Sequence, residues 1–292
     1  YEIIKCDWSS DVCSSDLLAD RRLAQQFLGM ALEQRPVRQI GQGIVMREIF
    51  DLRLRPQSEV SPLAIPVDAA LSHYESSALA WERAAFIRAR ACAGDIAAGE
   101  TFLKAIRPFV WRKSLDFGAI AEIGRLTAQI RATQEGSERP GPGFDVKRGH
   151  GGIREIEFFA QTHQLIHGGR NPALRLRGTR ASLDVLAAAG IIAGDDARLL
   201  GASYDRLREI EHRLQMVEDR QTHSLPRDPA ALDAVARLDG HGDGAALVAE
   251  LTEITEAVGS RYDVLIAADS SAAVVPAAPA ARRSQRSSLG DL

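Results

Sequence analysis

Asp51, Arg53 and Arg55 alternate with Leu52 and Leu54 in the segment DLRLRP at 51–56. A short strand sends alternate residues to opposite faces, so the leucines can be buried while a carboxylate and two guanidiniums face a cleft. A carboxylate can hold a divalent ion, and guanidiniums can hold the phosphates that such an ion bridges. An edge strand with a charged solvent face accounts for the same alternation. A second group lies at 145–158, where Lys147 sits in an extended segment followed by Gly149, Gly151 and Gly152 and a helix that starts near Ile153. The glycines permit a tight approach, and free amides at the helix start can meet an anion. Their spacing fits neither a Walker loop nor a dinucleotide fingerprint. Arg154 and Glu157 are three apart and can pair on the helix surface, whereas Glu155 and Glu157 point in different directions and do not make a two-carboxylate metal site.

A third set is Arg83, Arg88 and Arg90 in WERAAFIRAR at 81–90. Arg83 and Arg90 share a helical face with Arg88 off that line, and the set is either phosphate-facing or an ordinary solvated surface. Trp81, Phe109 and Trp111 fit packing better than stacking on a base. His163 and His167 share a helical face, but no HExxH motif or cysteine cluster accompanies them, so a structural pair is the simpler reading. Asp219-Arg220-Gln221-Thr222-His223 suits a hydrogen-bonded turn after a long helix at least as well as an acid–base pair.

The elements that position these groups change character near residue 150. Before it, the pattern predicts a helix at 19–32, strands around 46–55, and helical stretches near 68–91, 98–105 and 117–134. Gly141-Pro142-Gly143 then introduces an extended 144–148 segment. Beyond it the chain reads as almost wholly helical. Ile153, Ile156, Phe159 and Ala160 recur at helical spacing up to a stop at Gly168-Gly169. Leu199, Leu200, Tyr204, Leu207, Ile210 and Leu214 outline a long amphipathic helix. Asp228-Pro229 is an N-cap with proline at the first helical position, and Asp243 opens a last helix through Leu247, Leu251, Ile254, Val258 and Leu265.

Five segments in this order, DLRLRP (51–56), WERAAFIRAR (81–90), PFVWRKSLDF (108–117), DVKRGHGGIREIEFFAQTHQLIHGGR (145–170) and LREIEHRLQMVEDRQTHSLP (207–226), closely resemble the glutamate–ammonia-ligase adenylyltransferase family over roughly residues 20–265. These two-headed enzymes add AMP to a tyrosine of glutamine synthetase and remove it. GGIREIEF and RQTHSLP resemble the amino-terminal, adenylyl-removing half; the adenylyl-adding half more usually has Asp where Arg154 stands. The resemblance implies an α/β plus all-α fold, with an incomplete nucleotidyltransferase-fold domain at 18–152 and a helical bundle at 153–265. It implies phosphorolysis, in which inorganic phosphate takes up the adenylyl group as ADP, with ATP as donor in the adding reaction. Asp51 becomes a catalytic residue and magnesium ligand, as the third carboxylate of the family's site. Lys147 becomes catalytic, and Arg53, Arg55, Arg83, Arg88, Arg90, Arg154 and Glu157 become phosphate- or nucleotide-binding. Glutamine synthetase and a PII signalling protein are the implied partners. A helical module that only binds either of them is the competing reading.

In residues 1–17, Ser9-Ser10-Asp11 recurs as Ser14-Ser15-Asp16, a pattern similar to a translated sequencing adapter, so this stretch is expected to be a non-native leader. Without the family's upstream Gly-Ser and Asp-x-Asp segment, the chain is expected to be catalytically incomplete. Residues 266–292, rich in Ser, Ala, Pro and Arg, are expected to be a disordered tail. A net charge of −3 gives no bulk drive toward nucleic acid. No apolar run is long enough to span a bilayer, and Cys92 is the one cysteine outside the leader, which points to a cytoplasmic protein without a disulfide framework.

Overall fold

The computed structural model describes residues 65–92, 94–113, 137–218 and 222–272. Asp51, Arg53, Arg55, the leader at 1–17, the expected strands at 46–55 and helices at 19–32 and 117–134, and the chain beyond 272 lie outside the described residues.

The stretch expected as one helix over 68–91 forms two, α1 (Val67–Ser76) and α2 (Ala80–Phe86). The break follows from a local competition: the Glu82 carboxylate turns back to accept from the Leu79 amide at 2.9 Å, so a new helix starts there. Because α2 ends at Phe86, Arg88 and Arg90 do not continue the helical face of Arg83 but follow in a non-helical segment. α3 (Ile96–Ala105) is capped by Asp95, which accepts from Ala98, and the single turn α4 (Arg107–Val110) follows. Ala70, Tyr74, Phe86, Phe102, Ile106 and Phe109 make the core of this smaller layer, with Tyr74 edge-on to Phe86 at 4.8 Å.

The larger layer is built around α5 (Ile153–His167), which is buried on nearly every side. It packs against α6 (Thr179–Ala188), α7 (Gly194–Glu218) and α9 (Gly244–Ala272), while α8 (Pro229–Leu238) packs on α7 and α9. Ile153, Ile156, Leu183, Leu200, Leu207, Ile210, Val235, Leu251 and Val258 fill the shared core. Asp228 and Asp243 cap α8 and α9 as expected, accepting from Ala231 and Ala246 at 2.9 Å. The expected end of the bundle at 265 lies inside α9, which continues to Ala272. Ala84, Ile87, Leu165 and Trp111 join the two layers.

Among the described residues the only sheet-like pairing is an antiparallel bridge between Asp145 and Ser224. It lies at the start of the segment expected to be extended over 144–148, of which 146–148 instead forms a turn. Val146 donates to the His223 carbonyl at 2.9 Å, Leu225 donates to the Phe144 carbonyl at 2.8 Å, and Gly143 donates to the Leu225 carbonyl at 3.0 Å. This short pairing brings the chain before α5 against the chain after α7.

Candidate functional site

The helix α5 begins with a sharp reversal. Gly151, at φ +69°, turns the chain so that Ile153 and Arg154 donate backward to the carbonyls of Val146 and Lys147 at 3.1 and 2.9 Å. Gly152 donates to Gly149, Glu155 to Gly152, and the Glu155 carboxylate accepts from Gly151 at 2.9 Å. This corrects one expectation. The amides at the start of α5 are spent on the chain that precedes them, so they do not offer a ready anion cradle. The reversal instead fixes the Lys147 backbone, whose amide donates to Asp145 Oδ1 at 2.9 Å and whose carbonyl accepts from Arg154.

Four of the sequence-derived residues converge here. Arg88 Nη2 stands 3.3 Å from Glu157 Oε1 and also donates to the Thr179 hydroxyl on α6. Arg154 Nη1 stands 3.7 Å from Glu157 Oε2, one turn away on α5. Glu157 is therefore held between two guanidiniums in a fully buried setting. Lys147 is also buried, with its ammonium 3.7 Å from Glu211 Oε1. Burial lowers the Lys147 pKa from its ordinary value; Glu211 and Glu157 act against that lowering, while Arg154 and Arg208 add to it.

Arg83 goes elsewhere: its guanidinium lies over the Phe109 ring at 5.1 Å, in the smaller layer. Arg90 lies half-buried in the segment after α2. Trp111 packs where the two layers meet, with Arg175 over its ring at 5.4 Å, and Phe109 belongs to the core, as expected for packing residues. His163 lies edge-on to Phe159 and stacks on His167 at 6.2 Å. Burial, helped by His167, lowers its pKa to about 4, which suits a neutral packed ring.

One residue of the cluster was missed. Glu211 sits on the apolar stripe of α7 between buried Leu207 and Leu214, and a carboxylate at a core-facing position was the available signal. Its Oε2 accepts from Arg208 at 2.6 Å, and its Oε1 lies 2.8 Å from His223 Nδ1, a close contact without hydrogen-bond alignment. Burial raises the Glu211 pKa, but the His223 contact and the charges of Arg208 and Lys147 outweigh it and hold the carboxyl below its ordinary value. Both carboxylates of the cluster thus face cations, which suits a place for anions better than one for magnesium. Asp51, the magnesium ligand implied by resemblance, lies outside the described residues.

Asp239, His241 and Glu250 form a second cluster with metal-ligand chemistry. Arg206 already fills it, reaching Glu250 Oε1 at 2.6 Å and Asp239 Oδ1 at 3.1 Å. The Arg206 pKa is raised by its hydrogen bonds to Glu250 and Asp239, and this node ties α7 to the end of α8 and to α9. Among the described residues, no helix is long and apolar enough to cross a membrane.

Residues 20–105 match the family model described as glutamate-ammonia ligase adenylyltransferase, and residues 124–266 match that described as GlnD PII-uridylyltransferase. Relatives named bifunctional glutamine synthetase adenylyltransferase/adenylyl-removing enzyme include those of Bradyrhizobium diazoefficiens and Rhizobium meliloti. The first is 50% identical over 227 residues, which is 78% of this chain and 23% of the relative. The second is 51% identical over 222 residues, 76% of this chain and 22% of the relative. A Caulobacter vibrioides protein of the same name is 46% identical over 83% of this chain and 24% of its own length. The chain spans about a quarter of the length of these relatives.

Proposed function

The chain belongs to the glutamate–ammonia-ligase adenylyltransferase family, and we propose that it is part of the adenylyl-removing half, acting on the adenylylated tyrosine of glutamine synthetase. The observation that carries this reading is the cluster of buried Arg88 and Lys147 with half-buried Arg154, drawn from the segments at 81–90 and 145–170. Phosphorolysis brings two phosphate groups together. An oxygen of inorganic phosphate bonds to the adenylyl phosphorus, the bond to the tyrosine oxygen breaks, and ADP and the tyrosine hydroxyl result. Repulsion between the two phosphates opposes this approach. Cations held in place before the phosphates arrive offset it without reorganising during the reaction.

In this assignment Lys147 and Arg154 bind the attacking phosphate, and Arg88 neutralises the adenylyl phosphate. Glu157 and Glu211 offset the mutual repulsion of those cations and hold them in place. Arg53 and Arg55 would add phosphate contacts beside Asp51, which keeps its proposed part as a magnesium ligand within a nucleotidyltransferase-fold domain. Magnesium there would supply charge stabilisation to the phosphate oxygens. Arg83 and Arg90 are assigned support of the layer that carries Arg88. A PII signalling protein is the proposed regulatory partner.

The test is an exchange of residues 20–265 into either half of the Rhizobium meliloti relative. Phosphate-dependent ADP release from adenylylated glutamine synthetase should survive exchange into the amino-terminal half and be lost on exchange into the other. Retention of ATP-dependent AMP addition by the carboxyl-terminal hybrid alone would assign the chain to the adding half.

A further inference from the structure

Glu211 occupies a position on α7 where the pattern of Leu207, Ile210 and Leu214 calls for an apolar side chain. Its carboxylate is 2% exposed. A buried carboxylate is costly unless paired, and Arg208 on the same helix already meets that need at 2.6 Å. Two more basic groups nevertheless converge on it from other elements, Lys147 from the turn before α5 and His223 from the segment after α7, both at Oε1. The Lys147 backbone is anchored on both sides, at Asp145 and at Arg154, so its side-chain direction is the remaining freedom.

We infer that Glu211 is a positioning residue, whose Oε1 fixes the direction and charge of the Lys147 ammonium at the phosphate site and, through His223, ties that site to the segment after α7. The inference rests on the phosphate-site role given to Lys147. The charged groups around that ammonium are Glu211 and Arg208 from α7 and Glu157 and Arg154 from α5, and His223 shares its carboxylate partner. Removing the Glu211 charge takes away the largest influence that keeps the lysine protonated against burial.

The chain has four lysines, Lys5, Lys104, Lys113 and Lys147, which makes the amine measurable in the whole 292-residue protein. Brief acylation with acetic anhydride across a pH series, read by peptide mass spectrometry, gives each amine its titration midpoint, with exposed Lys104 and Lys113 as internal standards. Glu211→Gln should lower the Lys147 midpoint by at least one pH unit, raising its reactivity at neutral pH by about tenfold, and leave the two standards unchanged. Glu211→Asp, which keeps the charge on a shorter arm, should fall between Gln and the parent. An unchanged Lys147 midpoint in the folded Gln protein overturns the inference. If the Gln protein does not fold, an unchanged midpoint in Glu211→Asp does so instead. Inorganic phosphate should slow Lys147 acylation in the parent protein. A midpoint shift without phosphate protection would refute the phosphate-site reading alone, leaving the Glu211–Lys147 link intact.

Discussion

Gly151 and Gly190 share a φ of +69° but differ in surroundings, which allows backbone strain to be separated from steric overlap. A Cβ at Gly190 would meet nothing within 4 Å. At Gly151 it would lie 1.9 Å from the Thr255 carbonyl oxygen and 2.5 Å from that residue's Cα, both on α9. Gly190→Ala should therefore show the left-handed penalty by itself, about 1–2 kcal/mol, partly offset by the reduced freedom of the unfolded chain, about 0.4–1 kcal/mol. Gly151→Ala carries the same penalty and must also push α9 away from the turn before α5, an overpacking cost of about 1–3 kcal/mol or more. For a domain of this size, each kcal/mol moves the melting temperature by about 2–4 °C. Melting followed by far-ultraviolet circular dichroism should show Gly190→Ala within about 6 °C of the parent and Gly151→Ala lower than Gly190→Ala, about 2–18 °C below the parent. Because the turn fixes Lys147, the Gly151 variant should also lose phosphate protection of that lysine. Equal losses at the two positions would refute the argument that α9 clamps the turn.

Three further outcomes follow from the buried charges and rings. His163 titrates at about 4 when folded and at the ordinary 6.5 when unfolded, so the unfolded chain takes up the proton first; stability is full above 6.5 and falls as pH drops toward 4, by on the order of 3 kcal/mol. Urea titrations across that range should show this slope, and His163→Phe should flatten it; an identical slope in the variant would contradict the assignment. Glu157→Gln removes the charge that faces Arg88 and Arg154 and should cost about 3–5 kcal/mol in urea unfolding, whereas a loss below about 1 kcal/mol would show the pairs to be solvated. Arg206→Met removes the group that neutralises Asp239 and Glu250, and should lower the melting temperature while leaving phosphate protection of Lys147 unchanged; a parallel loss of protection would make this node part of the site.

The parts of the fold that could be read from residue order were those controlled locally. Asp228-Pro229 and Asp243 open helices because a short carboxylate satisfies an amide within the first turn, and that chemistry needs no distant partner. The apolar spacing of Leu200, Leu207 and Leu214 likewise marked α7, though not its full extent. The division between α1 and α2 depended on one side chain, Glu82, choosing the Leu79 amide, which periodicity does not register. For the site, the long motif at 145–170 singled out Lys147, Arg154 and Glu157. The use of the α5 amides was hidden, because their acceptors are carbonyls reached only after the Gly151 reversal. Arg88 seemed to point away from Arg83 on a continuous helix; the end of α2 at Phe86 is what lets it turn to Glu157. Glu211 and His223 belong to one motif in sequence but meet through the bridge at Asp145 and Ser224, a pairing between segments far apart in the chain.

The phosphate-site assignment of Lys147 is tested most directly by Lys147→Ala in the amino-terminal hybrid with the Rhizobium meliloti relative, with both directions of the reaction measured on the same preparation. Phosphate-dependent release of ADP from adenylylated glutamine synthetase should fall at least a hundredfold, about 3 kcal/mol of transition-state stabilisation, while ATP-dependent addition of AMP by the other half and the melting temperature stay near those of the parent hybrid. Undiminished ADP release, or loss of AMP addition with removal intact, would contradict the account.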